Sequence, residues 1–150
     1  MSDWRVWTAQ VDDADTLVAL EALAFGGRSW GGDSVKASFV ASGVTVLFGG
    51  LAKDSAGPLG FVLWRDLGEQ AEILTIGVVP DARRSGLGEA LLEAAVQAAR
   101  NGGAEKMFLE VDAANAAALG LYMQAGFKTI GARKKYYRDG GDAAVMALDL

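Results

Sequence analysis

A strand-to-helix junction near the middle of the chain has the composition of an anion-binding turn. An apolar segment ends at Val79, an arginine-bearing turn follows, and Gly86 and Gly88 begin an amphipathic segment. The first amides of a helix have no partner within the helix, and the helix dipole places positive charge there. Such a junction is suited to a phosphate or pyrophosphate group. The alternative is a tight turn before a helix, with solvated arginines.

Three phosphate-binding patterns can be compared with this turn. A P-loop has Lys-Ser or Lys-Thr after its second glycine, whereas Glu89 follows Gly88 here. A dinucleotide-binding fingerprint has a third glycine three residues later, where this chain has Leu91. The turn instead follows an Arg-x-x-Gly-x-Gly pattern, in which Arg83 and Gly86 are the first two defined positions.

Two further residues have side chains that could transfer protons. Glu110 interrupts an apolar run and, by strand alternation, points away from the face of Leu109 and Val111. The position of Glu110 in the sequence is also typical of a solvated glutamate at the end of a strand. Tyr122 lies on a short predicted helix, where a packed core tyrosine is the common alternative.

The residue types that are missing narrow the chemistry. The chain has no cysteine and no histidine. Acid–base chemistry near neutral pH would therefore use a carboxylate, a tyrosine, a lysine or water. Disulfides, thiolate metal sites and a cysteine-acyl intermediate are excluded. No acidic cluster has the spacing of a calcium loop, so we expect no metal.

The composition is that of a globular protein, with 51% apolar and 22% charged residues. A chain of 150 residues is long enough for one hydrophobic core, so we expect a single domain over residues 1–150. The net charge of −5 argues against general nucleic-acid binding and permits a cationic substrate. No apolar run approaches the roughly 20 residues of a membrane span, and the sequence has no signal-peptide pattern. We therefore expect a cytoplasmic protein without membrane contacts. We also expect a monomer.

Hydrophobic periodicity predicts the element order β-α-α-β-β-β-α-β-α-β-β. The predicted strands cover residues 4–9, 44–52, 59–65, 71–79, 105–111, 127–136 and 143–148. The predicted helices begin near Asp12, at Asp33 or Ser34 (to residue 41), at Gly86 (to residue 101) and at residue 114 (to residue 124). Antiparallel hairpins combined with two strand–helix crossovers predict an α/β (α+β) fold, with one mixed sheet and helices on both sides.

These segments together resemble one acetyltransferase family. Residues 83–92 resemble the coenzyme A pyrophosphate loop of the GNAT acetyltransferases, in its position after an apolar strand. Residues 109–127 are similar to the family's Leu-Glu-Val…Asn-x-x-Ala…Leu-Tyr-x-x-x-Gly-Phe segment. The ending, with basic residues before Tyr136 and Tyr137, is similar to the bacterial ribosomal-protein-alanine N-acetyltransferases. The resemblance extends from about residue 71 to residue 148, and it implies a mostly antiparallel sheet of about seven strands.

The resemblance implies a function and a set of site residues. The function is acetyl-CoA-dependent transfer, directly within a ternary complex, to a protein N-terminal amine, with an N-terminal alanine of a small-subunit ribosomal protein as the expected acceptor. Glu110 is the implied general base and Tyr122 the implied acid that protonates the coenzyme A thiolate. The implied coenzyme A contacts are Ile76, Gly77, Val78, Arg83, Arg84, Ser85, Gly86, Leu87, Gly88, Glu89, Asn115 and Tyr122.

The resemblance implies an acceptor between the first helical loop (residues 25–30) and the final hairpin (residues 136–142), with Trp30 and Tyr137 as candidate contacts. Either residue could instead be half-buried packing. Two other functions stay open at this point. One is the same fold acetylating a small amine or a lysine side chain, and the other is a non-catalytic coenzyme-A-binding sensor domain.

Overall fold

The structure, a computed structural model, describes residues 4–51, 57–137 and 140–150. The strands are β1 Trp4–Thr8, β2 Val44–Leu51, β3 Gly60–Asp66, β4 Gln70–Val78, β5 Lys106–Asp112, β6 Lys128–Arg133 and β7 Ala143–Asp149. The helices are α1 Ala14–Phe25, α2 Gly32–Phe39, α3 Leu87–Asn101 and α4 Ala116–Gln124. Short 3₁₀ turns lie at Val11–Asp13, Gly26–Arg28 and Pro80–Ala82.

The seven strands form one sheet in the order β1-β2-β3-β4-β5-β7-β6. Within the described residues every neighbouring pair is antiparallel except β4 and β5, which are parallel. The predicted mixed, mostly antiparallel sheet of about seven strands is therefore confirmed, as is the predicted order of helices and strands.

Helices cover both faces of the sheet, as predicted. On one face α3 buries an apolar stripe against the strands, and α4 packs beside it through Tyr122. The stripe consists of Leu87, Leu91, Leu92, Ala95, Val96 and Ala99. On the other face α1 and α2 enclose a second core that includes Leu17, Val35 and Phe61.

The parallel strands β4 and β5 pair with each other over only part of their length. The register runs from Gln70 opposite Lys106 to Ile73 opposite Leu109 and stops there. At the same point β4 carries an extra residue, Leu74, because the antiparallel register with β3 shifts. Such a bulge bends a strand and increases its twist. The last residues of β4 and β5 therefore diverge, and a gap opens between them in the middle of the sheet.

Several predicted boundaries differ from the structure. Neither Asp33 nor Ser34 caps α2; the helix begins at Gly32 after Gly31, whose φ of +87° turns the chain into the helix. The last hairpin is shorter than predicted, because β6 ends at Arg133 and Lys135 has a φ of +51°. The predicted end of β2 at residue 52 and part of the turn after it lie outside the described residues.

Candidate functional site

The turn between β4 and α3 is held by contacts from distant parts of the chain. Arg83 donates from Nη2 to the Ala24 carbonyl at 2.6 Å and from Nε to the Val78 carbonyl at 3.3 Å. Trp4 Nε1 donates to the Ser85 carbonyl at 2.8 Å. The Arg83 guanidinium therefore fastens the end of α1 to the end of β4, a contact that the sequence pattern did not predict.

The start of α3 presents unpaired amides beside this turn. The first hydrogen bond within the helix runs from Ala90 N to the Gly86 carbonyl at 3.1 Å. The amides of residues 87–89 consequently have no partner in the helical ladder. Arg84 and Gly86 have φ values of +60° and +88°, which turn the backbone sharply into the helix. This geometry can hold a pyrophosphate on backbone N–H groups and the positive end of the helix dipole.

The end of β4 borders the gap with its backbone. Val79 N donates to the Leu59 carbonyl on the β3 side at 2.9 Å. Because successive backbone groups of a strand alternate in direction, the Val78 N–H points to the β5 side. A Cβ atom at Gly77 would lie 2.7 Å from the Phe61 ring, so this glycine also allows close packing inside the second core. Ile76 lies in the same stretch of β4 and is half-buried.

Glu110 lies on β5 at the opposite border of the gap. Leu109 and Val111 belong to the core under α3 and α4, so Glu110 points to the other face. Its carboxylate Oε1 accepts from Arg133 Nε at 2.9 Å, and the side chain is 27% exposed. The Tyr136 hydroxyl donates a hydrogen bond to the same carboxylate, and this bond is the main cause of the raised pKa of Tyr136. The side chain is thus held by two partners rather than freely solvated.

Tyr122 lies on the α4 side of the sheet, in the core cluster that Ile76 and Val78 of β4 also pack against. It is 5% exposed and packs edge-on against Phe127, with ring centroids 5.9 Å apart. Burial raises the pKa of the Tyr122 phenol strongly, and the neighbouring Tyr137 raises it further. Tyr137, from the last hairpin, also interacts electrostatically with Glu110, so it influences both Tyr122 on α4 and Glu110 on β5.

Asn115 caps the short helix that carries Tyr122. Its Oδ1 accepts from Ala118 N at 3.1 Å, so the predicted cap is confirmed. The cap explains the residue at this position, and contact with coenzyme A stays a prediction.

A third group of contacts connects the first helical loop with the last hairpin. Arg28 forms an ion pair with Asp112 at the end of β5. The same guanidinium lies 5.2 Å from the centroid of the Tyr137 ring. Partial burial and the Asp112 carboxylate raise the pKa of Tyr137.

A buried acid on α1 binds the loop that carries Trp30. Glu21 is 2% exposed, and its carboxylate accepts from Trp30 N at 2.7 Å and from the Ser29 hydroxyl. The Trp30 side chain itself is 43% exposed. This acid was missed at the sequence level, although its spacing from Leu17 places it on the buried face of α1.

The structure therefore places Tyr137 within electrostatic range of both Tyr122 and Glu110, and it places Trp30 on a loop that Arg28 joins to Tyr137. It directs Arg83 to backbone carbonyls rather than to the amides at the start of α3. Besides Glu21, sequence reasoning missed Arg28, Asp112, Arg133 and Tyr136. Asp112 had one usable signal, because it follows Glu110 by two residues and so shares its face of β5.

Two absences concern residues 4–51, 57–137 and 140–150. Neither a helix with the length and apolarity of a membrane span nor a group of three or more acidic side chains arranged to hold a metal ion occurs there.

Comparison with known proteins places these features in a family. A model described as "Acetyltransferase (GNAT) family" matches residues 27–127. The [ribosomal protein bS18]-alanine N-acetyltransferase of Escherichia coli K12 is 42% identical over 85 residues, which cover 55% of this chain and 57% of that protein. A mycothiol acetyltransferase of Clavibacter sepedonicus is 36% identical over 137 residues, or 85% of this chain and 43% of that protein. The chain thus spans about half the length of these curated relatives.

The fold is also similar to that of a solved structure. The ribosomal-protein-S18-alanine N-acetyltransferase from Escherichia coli superposes with a TM-score of 0.87 at 28% identity, over 97% of this chain and 93% of that one. Because the family model covers about two thirds of the residues and the fold matches over nearly the whole chain, the protein belongs to the GNAT acetyltransferase family.

Proposed function

We propose that this protein is an acyltransferase that moves the acetyl group of acetyl-CoA directly to a protein N-terminal amine within a ternary complex. The proposed acceptor is an N-terminal alanine of a small-subunit ribosomal protein. The observation that carries this proposal is the end of pairing between β4 and β5, with Glu110 just beyond that point on β5 and the buried Tyr122 in the core cluster that Ile76 and Val78 of β4 pack against. The similarity to the bS18-alanine N-acetyltransferase supports the choice of acceptor.

The cofactor side of the proposal rests on backbone groups. Acetyl-CoA supplies an acetyl thioester, and the amides of residues 87–89 fit its pyrophosphate. The unpaired part of β4, with Ile76, Gly77 and Val78, fits the amide groups of the pantetheine chain as an added strand would. The Val78 N–H would then donate to the acetyl carbonyl and stabilise negative charge on its oxygen. The proposed contacts of Arg84, Ser85 and Asn115 complete this side.

The acceptor amine needs a base. Glu110 would take a proton from the α-ammonium group, whose pKa of about 8 is nearer neutrality than the value of about 10.4 for lysine. Arg133 and Tyr136 hold the Glu110 carboxylate in one orientation, as a base must be held. The neutral amine would attack the acetyl carbon, the carbon–sulfur bond would break, and the attacking nitrogen would release its remaining extra proton to solvent.

The departing sulfur needs a proton, and Tyr122 would supply it. Since burial raises the pKa of this phenol, Tyr122 keeps its proton at the pH at which the acceptor amine loses its own. Trp30 and Tyr137 would contact the acceptor peptide between the first helical loop and the last hairpin. We further propose a cytoplasmic monomer of one domain that needs no metal and contacts neither nucleic acid nor membrane.

A second candidate function is acetylation of a small amine. The match to the mycothiol acetyltransferase over 85% of this chain favours it. The same base and acid would serve this reaction, so only the acceptor distinguishes the two functions.

The proposed function is tested by coenzyme A release with two hexapeptides. One begins with a free alanine and contains no lysine, and the other is N-terminally blocked and contains an internal lysine. We expect turnover on the first peptide only, because an α-amine with a pKa of about 8 loses its proton more readily than a lysine side chain. Turnover on the blocked peptide only, or only on a panel of small primary amines, would contradict the proposed acceptor.

Replacing the base should separate turnover from cofactor binding. Glu110→Gln keeps the size of the side chain but removes the carboxylate that would accept the proton. We therefore expect kcat/KM to fall about 100-fold or more. The Kd for acetyl-CoA, measured by calorimetry, should stay within about twofold, because the proposed cofactor contacts are unchanged. Glu105→Gln, an exposed acid just before β5, is the matched control and should behave as wild type. Full turnover in Glu110→Gln would refute the assignment of Glu110 as the base.

The tyrosines can be titrated directly. All three tyrosines of the chain, residues 122, 136 and 137, lie at this site, and each has a raised pKa. In the native protein we expect the tyrosinate absorbance at 295 nm to rise with midpoints above pH 10. After unfolding we expect a single midpoint near pH 10, the ordinary pKa of tyrosine. Tyr122→Phe should remove the step at highest pH. A native step at or below pH 10 that disappears in Tyr122→Phe would contradict the burial argument.

A further inference from the structure

The first helical loop is fastened to β5 across the proposed acceptor side. Arg28 ends the 3₁₀ turn between α1 and α2, and its ion pair with Asp112 links positions 84 residues apart in the chain. The guanidinium also lies over the Tyr137 ring in the last hairpin. One side chain therefore joins the three elements that border the place where an acceptor would enter.

Asp112 is a fixed anchor for this contact. Its side chain is only 16% exposed. One carboxylate oxygen, Oδ1, accepts from Ala114 N at 2.9 Å, while Oδ2 binds Arg28. Because the two oxygens have separate partners, the carboxylate cannot turn toward solvent without losing a hydrogen bond.

The same loop is held at its other end by Glu21. This buried carboxylate binds Trp30 N and the Ser29 hydroxyl, the two residues directly after Arg28. Gly26 and Gly31 lie on either side of the held residues, with φ values of +54° and +87°. Among the described residues, two acids therefore bind this loop, one inside α1 and one at the end of β5.

We propose that Asp112, acting through Arg28, positions the first helical loop against the acceptor and so sets the affinity for it. This inference rests on the proposed function, because it takes the acceptor to lie between this loop and the last hairpin. Asp112 is a positioning residue, distinct from the base Glu110 two residues earlier on the same face of β5, which lies about 7 Å away along the strand.

Asp112→Asn is the sharpest variant. The asparagine oxygen still accepts from Ala114 N, while the amide group that replaces Oδ2 no longer attracts Arg28. The matched control is Asp149→Asn, which breaks the exposed Lys106–Asp149 ion pair (3.5 Å) at the other end of β5. Arg28→Gln and the double variant complete a mutant cycle, and Arg28→Lys tests rescue by charge.

Two measurements on the full chain decide the proposal. In hydrogen–deuterium exchange, the amides of residues 26–31 should exchange faster in Asp112→Asn than in wild type or Asp149→Asn. With the free-alanine hexapeptide, the acceptor KM should rise about fivefold, as expected for a partly exposed ion pair of about 1 kcal/mol. The kcat value and the KM for acetyl-CoA should stay within about twofold, because the proposed base, acid and cofactor contacts are intact.

The mutant cycle gives an independent readout. The double variant should be no worse than either single variant, and Arg28→Lys should be closer to wild type than Arg28→Gln. Unchanged exchange in Asp112→Asn, or faster exchange with an unchanged acceptor KM, would overturn the proposal. A wild-type protein that acetylates no peptide N-terminus would contradict the proposed function instead, and the exchange comparison, which needs no acceptor, would still decide whether Asp112 holds the loop.

Discussion

The divergence of β4 and β5 is the constraint on which the rest of the site depends. Parallel strands normally pair along their length, but here the pairing stops after Ile73 and Leu109, where the extra residue Leu74 bends β4. The backbone of β4 beyond this point points into a gap instead of a neighbouring strand. Without the gap, Tyr122 on one face of the sheet and Glu110 on the other would be separated by a continuous layer of backbone.

The borders of the gap are held mainly by ion pairs and hydrogen bonds. Burying a carboxylate is costly unless donors satisfy it. Glu21 binds a hydroxyl and an amide, Glu110 binds Arg133 and Tyr136, and Asp112 binds Arg28 and Ala114 N. Each acid therefore has two partners, and at least one partner of each acid lies outside the acid's own helix or strand. Such an arrangement orients charged groups before a substrate arrives, which is the condition for efficient proton transfer.

Much of this could be predicted from sequence because it depends on local patterns. The alternation that placed Glu110 opposite Leu109, the period of α3 and the cap at Asn115 are properties of a few neighbouring residues. The contacts of Arg83 with Ala24 and of Arg28 with Asp112 could not be predicted, because these partners lie 59 and 84 residues away in the chain. The predicted start of α2, at Asp33 or Ser34, was wrong for a related reason. Gly31, which has a positive φ, precedes the first residue of that helix, although Asp33 and Ser34 have the better capping chemistry.

The most direct measurement is a crystal structure of the protein with acetyl-CoA. The pantetheine chain is expected along residues 76–78 of β4, with the pyrophosphate on the amides of residues 87–89 and the sulfur about 3 Å from the Tyr122 hydroxyl. A cofactor bound away from the gap, or a Tyr122 hydroxyl turned into the core and out of reach of the sulfur, would contradict the proposal that the divergence of β4 and β5 forms the catalytic centre.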